Sequence, residues 1–262
     1  MDKHFAYLEK VIKRDNIEGK VFSFDDPEQN KSTRLKINKV NRILGSGSYS
    51  RWVAEVNVEL ENDTRIEKTT HNMVIKRYEG KKTDATQDLK QSYENYKALK
   101  EIEIPTWTTY RIKEEHKLAL MTLGIKEGEI LLTANDDDQI DIAPLKENPV
   151  KKIDNLDEFV LKASQILEKV NIHGYRLSAD SYGVIFKPQQ NALGVYNIDI
   201  IISDLDNLGS STDPFYVEHY GDDIKERWKK ENKDALETAL FCIFPGNRGQ
   251  KERFAKSVTS QI

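Results

Sequence analysis

The sequence predicts an α+β fold built as two lobes. Strand-like alternation fills most of residues 34–123 and is interrupted by one amphipathic helix, whereas residues 154–258 show mostly helical periodicity around a small hairpin. The glycine-bounded stretch 124–128 follows the fifth predicted strand and marks the seam. We therefore expect an antiparallel sheet with one helix in the first lobe and a shortened, mainly helical second lobe.

The first predicted element is a helix over residues 2–14. Its apolar side chains recur at helical spacing and form one stripe, which comprises Phe5, Leu8, Val11 and Ile12. We expect this stripe to pack on its own chain, and docking of a partner protein is the alternative. The polar residues 25–31 are predicted as a loop, so residues 1–31 form an N-terminal extension.

The first lobe is predicted over residues 32–123. Apolar residues alternate with polar ones in its strands, and they return to helical spacing between residues 84 and 101. The predicted strands are 34–44, 52–60, a strand that carries Lys76, 108–112 and 118–123. A glycine turn joins the first two of these strands.

The second lobe is predicted over residues 124–262. Its longest helix begins near Asp154 or Asn155, either of which is a good helix cap, and ends near Val170. The remaining predicted elements are a hairpin of strands 184–186 and 195–202 and two helices over 234–244 and 250–258.

A glycine turn and a lysine together suggest a phosphate-binding site. The turn contains Gly45, Ser46, Gly47 and Ser48, and a glycine turn lets backbone N–H groups approach phosphate oxygens without a Cβ atom in the way. Such a glycine pair is an ordinary turn when it stands alone. Here Lys76 lies on the second strand after the turn, where its ammonium group could reach the same phosphates.

In this order and spacing, residues 43–208 resemble the protein-kinase fold, including its atypical and small-molecule-kinase relatives. The resemblance implies that Lys76 holds the α- and β-phosphates of ATP and that Glu94, on the following helix, orients it. It also implies that backbone groups at Met121 and Leu123 bind the adenine edge. The sequence departs from the family pattern at Ser50, where the third glycine is expected, and at Trp52, where a valine usually covers the adenine.

The catalytic aspartate of the family is missing from the loop before the hairpin. One alignment places Arg176 at that aspartate and Ser181 at the metal-binding asparagine, and the other places Tyr175 at the aspartate. Neither arginine nor tyrosine accepts the proton of a substrate hydroxyl as a carboxylate does. Asp180 is the only carboxylate in this loop, and it either replaces the missing base or caps the loop.

The metal-binding motif of the family is better preserved. Asp204 follows the second strand of the hairpin and stands at the metal-binding aspartate, and Asp206 replaces the glycine of that motif. Two carboxylates at positions i and i+2 suit Mg²⁺, a hard cation that prefers oxygen ligands. The resemblance adds Ser181 as a third candidate ligand, and a polar turn is the alternative interpretation of residues 204–207.

The function implied by the resemblance is that of a divergent kinase-like protein that binds ATP and Mg²⁺ in the cleft between its lobes, with weak or atypical phosphoryl or nucleotidyl transfer. One alternative is a catalytically inactive pseudokinase that acts as a nucleotide-sensing or protein-interaction module. A second alternative is a small-molecule kinase. The candidate catalytic residues are Arg176 and Asp180, and a protein partner or protein substrate is compatible with each of the first two interpretations.

Composition excludes several other classes of function. The 262 residues carry a net charge of −4, and lysines are interspersed with carboxylates, which argues against a general nucleic-acid-binding protein. No segment approaches the apolar run of about 20 residues that a membrane span needs, so we expect a cytoplasmic protein. The single cysteine, Cys242, excludes an internal disulfide, and its apolar neighbours predict a core position.

Overall fold

The computed structural model describes residues 3–26, 31–45, 50–62, 65–79, 84–113, 117–122, 128–134, 145, 147–190, 192–206 and 208–262. The chain divides into two compact units. The first consists of Met1–Lys97 and Trp107–Gly124, and the second consists of Ala98–Thr106 and Ile125–Ile262.

The helices and strands that the sequence predicts occur in the predicted order, and the structure adds further elements between them. The helices are α1 (Lys3–Asp15), α2 (Ala85–Glu101), α3 (Leu156–Ile172), α4 (Pro214–Tyr220), α5 (Ile224–Ile243) and α6 (Arg248–Thr259). The strands are β1 (Val21–Asp26), β2 (Lys31–Gly45), β3 (Ser50–Asn62), β4 (Arg65–Tyr78), β5 (Thr108–Arg111), β6 (Leu118–Thr122), β7 (Ile130–Thr133), β8 (Lys152–Ile153), β9 (Tyr175–Arg176), β10 (Tyr182–Pro188), β11 (Val195–Ile202) and β12 (Gly209–Ser210).

The described strands of the first unit form a six-stranded antiparallel sheet in the order β1-β2-β3-β4-β6-β5. The sheet curls until its two edge strands meet. Phe24 on β1 forms a bridge with Ile112, just beyond β5, and the N–H of Lys113 donates to the carbonyl of Ser23 at 2.9 Å. This closure protects the edges, which otherwise expose unpaired backbone groups.

One face of this curled sheet forms the core of the first unit. On β3 the inward side chains alternate strictly with the outward ones, and Trp52, Ala54, Val56 and Val58 are completely buried. The α1 helix adds Leu8, Val11 and Ile12 to the same core. The apolar stripe of α1 therefore packs on its own chain, as predicted.

The structure adds a strand, β1, before the predicted N-terminal loop, and strands extend into both ends of that loop. Residues 25–31 were expected to be irregular, but β1 extends to Asp26 and β2 begins at Lys31. Phe22 and Phe24 alternate with less buried neighbours and enter the core that α1 covers. The apolar side chains of β1, at a spacing of two residues, explain why this segment pairs with β2.

The second unit contains a four-stranded sheet in the order β7-β10-β11-β8, built around the predicted hairpin. In that hairpin Tyr182 lies opposite Ile202, and seven consecutive residue pairs connect β10 and β11. Helices α3, α5 and α6 contribute buried apolar side chains. A short ribbon of β9 and β12 pairs Arg176 with Gly209.

Two helical predictions for the second unit need correction. The α5 helix begins at Ile224 and not near residue 234, because Ile224, Trp228 and Asn232 form a buried stripe among charged residues. Cys242 is exposed, although a core position was predicted. The buried face of α5 passes through Ala239, Leu240 and Ile243, and helical geometry turns the neighbouring Cys242 outward.

The predicted α+β class is confirmed, with an antiparallel sheet in the N-terminal region and a helix-rich second unit. None of the described helices combines the length and apolar character that crossing a membrane requires.

Candidate functional site

Lys76 lies in a row of four residues that crosses the sheet of the first unit. Gly45 pairs with Val53, Val53 with Lys76, and Lys76 with Ala119 on adjacent strands. Directly opposed residues have their side chains on the same face of a sheet. The lysine therefore shares a face with Gly45 at the end of β2, after which the predicted glycine turn follows in the sequence.

This outer face is also the one that α2 covers. Tyr78 and Ala119 pack with Ala85 and Leu89, the last two of which lie on α2. The Nζ atom of Lys76 lies 5.4 Å from the centroid of the Tyr78 ring, within the range of a cation–π contact. The side chain of Lys76 is half-buried, so packing restricts the directions in which its ammonium group can point.

Glu94 does not take the predicted place beside Lys76. Its carboxylate forms an ion pair with Lys97, one helical turn away, at 2.6 Å, and 47% of its side chain is exposed. The buried stripe of α2 runs through Asp88, Ser92 and Asn95, so Glu94 lies on the other side of the helix. This placement contradicts the predicted pairing of Glu94 with Lys76.

Val53, and not Trp52, is the apolar residue beside Lys76. A register shift between Ser50 and Trp52 inserts one extra residue into β3, and a one-residue shift moves a side chain to the opposite face. Trp52 therefore turns into the core, where it is completely buried. Strand alternation in the sequence indicates the position of Val53. The other outward residues in this part of β3 are the polar Arg51, Glu55 and Asn57, so Val53 stands out as apolar.

Of the remaining nucleotide-binding candidates in the first unit, only some belong to the residues that the structure describes. Ser46, Gly47, Ser48 and Leu123 lie outside the described residues. Met121 is half-buried on β6, where it pairs with Val74 on one side and Thr109 on the other. Its role in binding a base stays a prediction.

In the second unit, α5 holds the loop that contains the candidate catalytic residues Arg176 and Asp180. The completely buried Asn232 accepts the N–H of Leu177 at 2.8 Å and donates to the carbonyl of Tyr175 at 2.9 Å. Arg176 donates from Nε to Glu231 at 2.7 Å. Asn232 was missed because nothing in the sequence links it to a loop 55 residues away.

The carboxylate of Asp180 accepts a hydrogen bond from the hydroxyl of Ser178. The Ser178 hydroxyl also lies 3.0 Å from that of Ser181, whose side chain is completely buried. These bonds close a short 3₁₀ turn over Ala179–Ser181. The arrangement is the one expected of a loop-capping aspartate, and it leaves the carboxylate half-buried with further acceptor capacity.

Ser181 fixes the backbone that carries the candidate metal ligands. Its carbonyl accepts the N–H of Ser203 at 2.8 Å and that of Asp204 at 3.4 Å. The N–H of Asp206 donates to Oδ1 of Asp204 at 3.2 Å, which forms a tight turn directly after β11. Asp204 and Asp206 are both half-buried at the end of this strand.

The donor set of this turn fits Mg²⁺ in part. Magnesium sites commonly use one or two protein carboxylates and obtain their other ligands from water and substrate phosphates, and Asp204 and Asp206 supply that number. Within the described ranges, no group of three histidine, cysteine, aspartate or glutamate side chains is placed to hold a metal ion. The turn would therefore depend on a phosphate-bearing ligand to complete a metal site.

No protein-family model matches the sequence, and no curated protein matches it significantly. Among solved structures, the Rio2 kinase–ADP/Mg²⁺–phosphoaspartate complex from Chaetomium thermophilum gives a TM-score of 0.48 at 11% identity, over 83% of this chain and 62% of that chain. Another Rio2 kinase structure from the same organism gives 0.44 at 12% identity, over 86% and 72% of the two chains. Choline kinase LicA from Streptococcus pneumoniae gives 0.29 at 11% identity, over 98% and 100%.

All three structures are named as kinases, and all three TM-scores lie below 0.5. This chain spans less than two thirds of the chain in the Rio2 complex. At identities of 11–12%, these structures do not establish an activity for this chain.

Proposed function

We propose that the chain is a divergent kinase-like protein that binds a nucleoside triphosphate with Mg²⁺ and has weak or atypical transfer activity. The observation that carries this proposal is the row from Gly45 through Val53 to Lys76. It places a half-buried lysine and an apolar side chain on the sheet face next to the strand end that the predicted glycine turn follows in the sequence.

The proposed chemistry needs a cation for the phosphates and ligands for a metal ion. In the first unit, Lys76 would neutralise charge on the phosphates, and the glycine turn would offer backbone donors. In the second unit, Asp204 and Asp206 would hold Mg²⁺, which stabilises the charge that develops on the transferring phosphoryl group. Phosphoryl transfer depends chiefly on such positioning and charge stabilisation, so a missing general base weakens it without abolishing it.

A nucleotide-binding module without transfer activity is the second candidate. The hydrogen bond from Ser178 to Asp180 favours it, because that bond gives the only carboxylate of the loop a structural role. Glu94 supports the same interpretation, since it pairs with Lys97 and leaves the predicted lysine–glutamate pair unformed.

The proposal is tested by the thermal stability of the full chain with and without MgATP. A ligand present at about 100 times its Kd stabilises the folded state by roughly 2.7 kcal/mol, and each kcal/mol raises the Tm of a chain this size by about 2–4 °C. Lys76→Ala is expected to abolish most of this shift. Lys36→Ala, which removes an exposed lysine from β2 of the same sheet, is expected to retain it.

Two results would contradict the proposal. The absence of any shift with millimolar MgATP, MgGTP or MgCTP in the unaltered chain would exclude nucleotide binding. An equal shift in the Lys76→Ala variant would show that the nucleotide binds elsewhere.

A further inference from the structure

Four asparagine side chains form a connected cluster on the outer face of the first unit's sheet. Asn38 donates to Asn57 at 3.3 Å, Asn57 donates to Asn72 at 3.3 Å, and Asn41 donates to Asn72 at 3.1 Å. Asn57 and Asn72 are opposite each other on β3 and β4. Asn72 lies four residues before Lys76 on the same strand, so both side chains are on the same face.

Irregularities in β2 bring two of these side chains into the cluster. Ile37 pairs with Val58 and Lys39 with Asn57, which leaves Asn38 as an extra residue, and the next shift leaves Asn41 extra between Val40 and Arg42. An extra residue bends a strand and redirects its side chain, and such bulges are common beside functional sites. Both extra residues in this part of β2 are thus asparagines that reach neighbouring strands.

Asparagine is an unusual choice for these positions. It is depleted in β-strands because its short polar side chain competes for backbone hydrogen bonds. Exposed strand positions are ordinarily filled by residues with a higher strand propensity, such as threonine. Asn57 and Asn72, which occupy regular paired strand positions, therefore indicate a requirement for amide groups that sheet formation does not impose.

The four asparagine side chains themselves carry no charge. Asn41 also donates to Oε1 of Glu55 at 3.2 Å, and the charge of Glu55 is balanced by Arg42, whose Nε lies 2.8 Å from Oε2. The face therefore carries Lys76 at one end and neutral amide donors and acceptors at the other, where Lys39 lies directly opposite Asn57. The Arg42–Glu55 pair lies between these two ends, and half-buried Val53 lies beside Lys76.

The neutral amides suit the base of a nucleotide, and the ammonium group of Lys76 suits its charged phosphates. Four residues of extended strand separate Asn72 from Lys76 by about 13 Å. Asparagine amides recognise base edges well because they donate and accept side by side, as in bidentate contacts with adenine. We propose that the asparagine cluster binds the base of a nucleotide whose phosphates lie at Lys76. This inference rests on the function proposed above and adds a determinant of base recognition to it.

The test measures the affinity of the full chain for MgATP and for magnesium tripolyphosphate, which has phosphates but no base, by isothermal titration calorimetry. The double variant Asn57→Ala, Asn72→Ala is expected to raise the Kd for MgATP about tenfold, because it removes hydrogen bonds to the base. Its Kd for tripolyphosphate is expected to stay unchanged. Asn197→Ala, which removes an amide from a hydrogen-bonded strand position in the second unit, is the matched control and should alter neither Kd.

The outcomes separate this inference from the proposed function. If the double variant binds MgATP as tightly as the unaltered chain does, or loses affinity for both ligands equally, the asparagine cluster does not bind the base. In both cases nucleotide binding by the unaltered chain still stands. If the unaltered chain binds neither ligand, the proposed function and this inference are both overturned.

Discussion

The indole N–H of Trp52 donates to the carboxylate of Asp15 at 2.7 Å, which joins the beginning of β3 to the last residue of α1. The Nε atom of Arg77 lies 3.3 Å from the same carboxylate oxygen. An acidic residue at a helix C-terminus is unfavourable for the helix dipole. Here the hydrogen bond from the Trp52 indole and the ion pair with Arg77 compensate for this unfavourable interaction. Asp15 thereby links the helix to the sheet.

We expect Asp15→Ala to lower the free energy of unfolding by about 1–3 kcal/mol, because the N–H of the completely buried Trp52 loses its acceptor. Urea unfolding followed by tryptophan fluorescence measures this change. Lys13→Ala, at an exposed position of the same helix, should change stability by less than about 0.5 kcal/mol. Indistinguishable urea midpoints for the two variants would show that the Asp15–Trp52 bond does not stabilise the fold.

We expect Asn232→Ala to destabilise the second unit by about 1–3 kcal/mol, because it leaves the buried N–H of Leu177 unpaired. The same change frees the loop at residues 175–177, so hydrogen exchange at Leu177 should accelerate. Lys230→Ala, at an exposed position of α5, is the control and should leave the exchange of Leu177 unchanged. Continued protection of Leu177 in the Asn232→Ala variant would show that the asparagine does not hold the loop.

The pH dependence of stability should depend in part on Asp199. Its partial burial raises the pKa, but hydrogen bonds and attraction from Lys162 and Lys187 outweigh burial and hold the pKa below the ordinary value of 3.8. A carboxyl with a lowered pKa stabilises the fold above its unfolded pKa, and this contribution is lost as the pH falls through its folded pKa.

We therefore expect Asp199→Asn to reduce stability at pH 7 and to reduce it progressively less as the pH falls through and below 3.8. Denaturant unfolding at a series of pH values measures the difference between variant and unaltered chain. Glu168→Gln, which alters an exposed carboxylate on α3, is the control. A difference for Asp199→Asn that stays constant with pH would contradict the charge interaction.

Transfer activity should depend more on Asp204 than on Asp180. We expect Asp204→Asn to abolish any Mg²⁺-dependent turnover of labelled ATP, whereas Asp180→Asn reduces it by about 10²–10⁴-fold only if that carboxylate acts as the base. Mass spectrometry of the protein after incubation detects added phosphate or nucleotide. Asp157→Asn, at an exposed position in the first turn of α3, is the control.

Turnover that survives Asp204→Asn would remove the metal role from this aspartate. Tight binding of MgATP with no detectable transfer in the unaltered chain would favour the nucleotide-binding module over the enzyme.

The sequence alone determined the type and order of most elements, because side-chain periodicity is a local property. The strand predicted over residues 195–202 is β11, and the stripe of Leu8, Val11 and Ile12 correctly predicted which face of α1 is buried. The face that carries Lys76 and the turn that carries Asp204 could likewise be placed from strand alternation and motif spacing.

Only the tertiary structure decided which neighbours these residues have. One extra residue after Ser50 sends Trp52 into the core and leaves Val53 beside Lys76, and shifts in β2 gather the asparagines. Asn232 reaches a loop 55 residues away, and Glu94 pairs along its own helix. Strand register and contacts between distant segments depend on how whole elements pack together, and local periodicity does not contain that information.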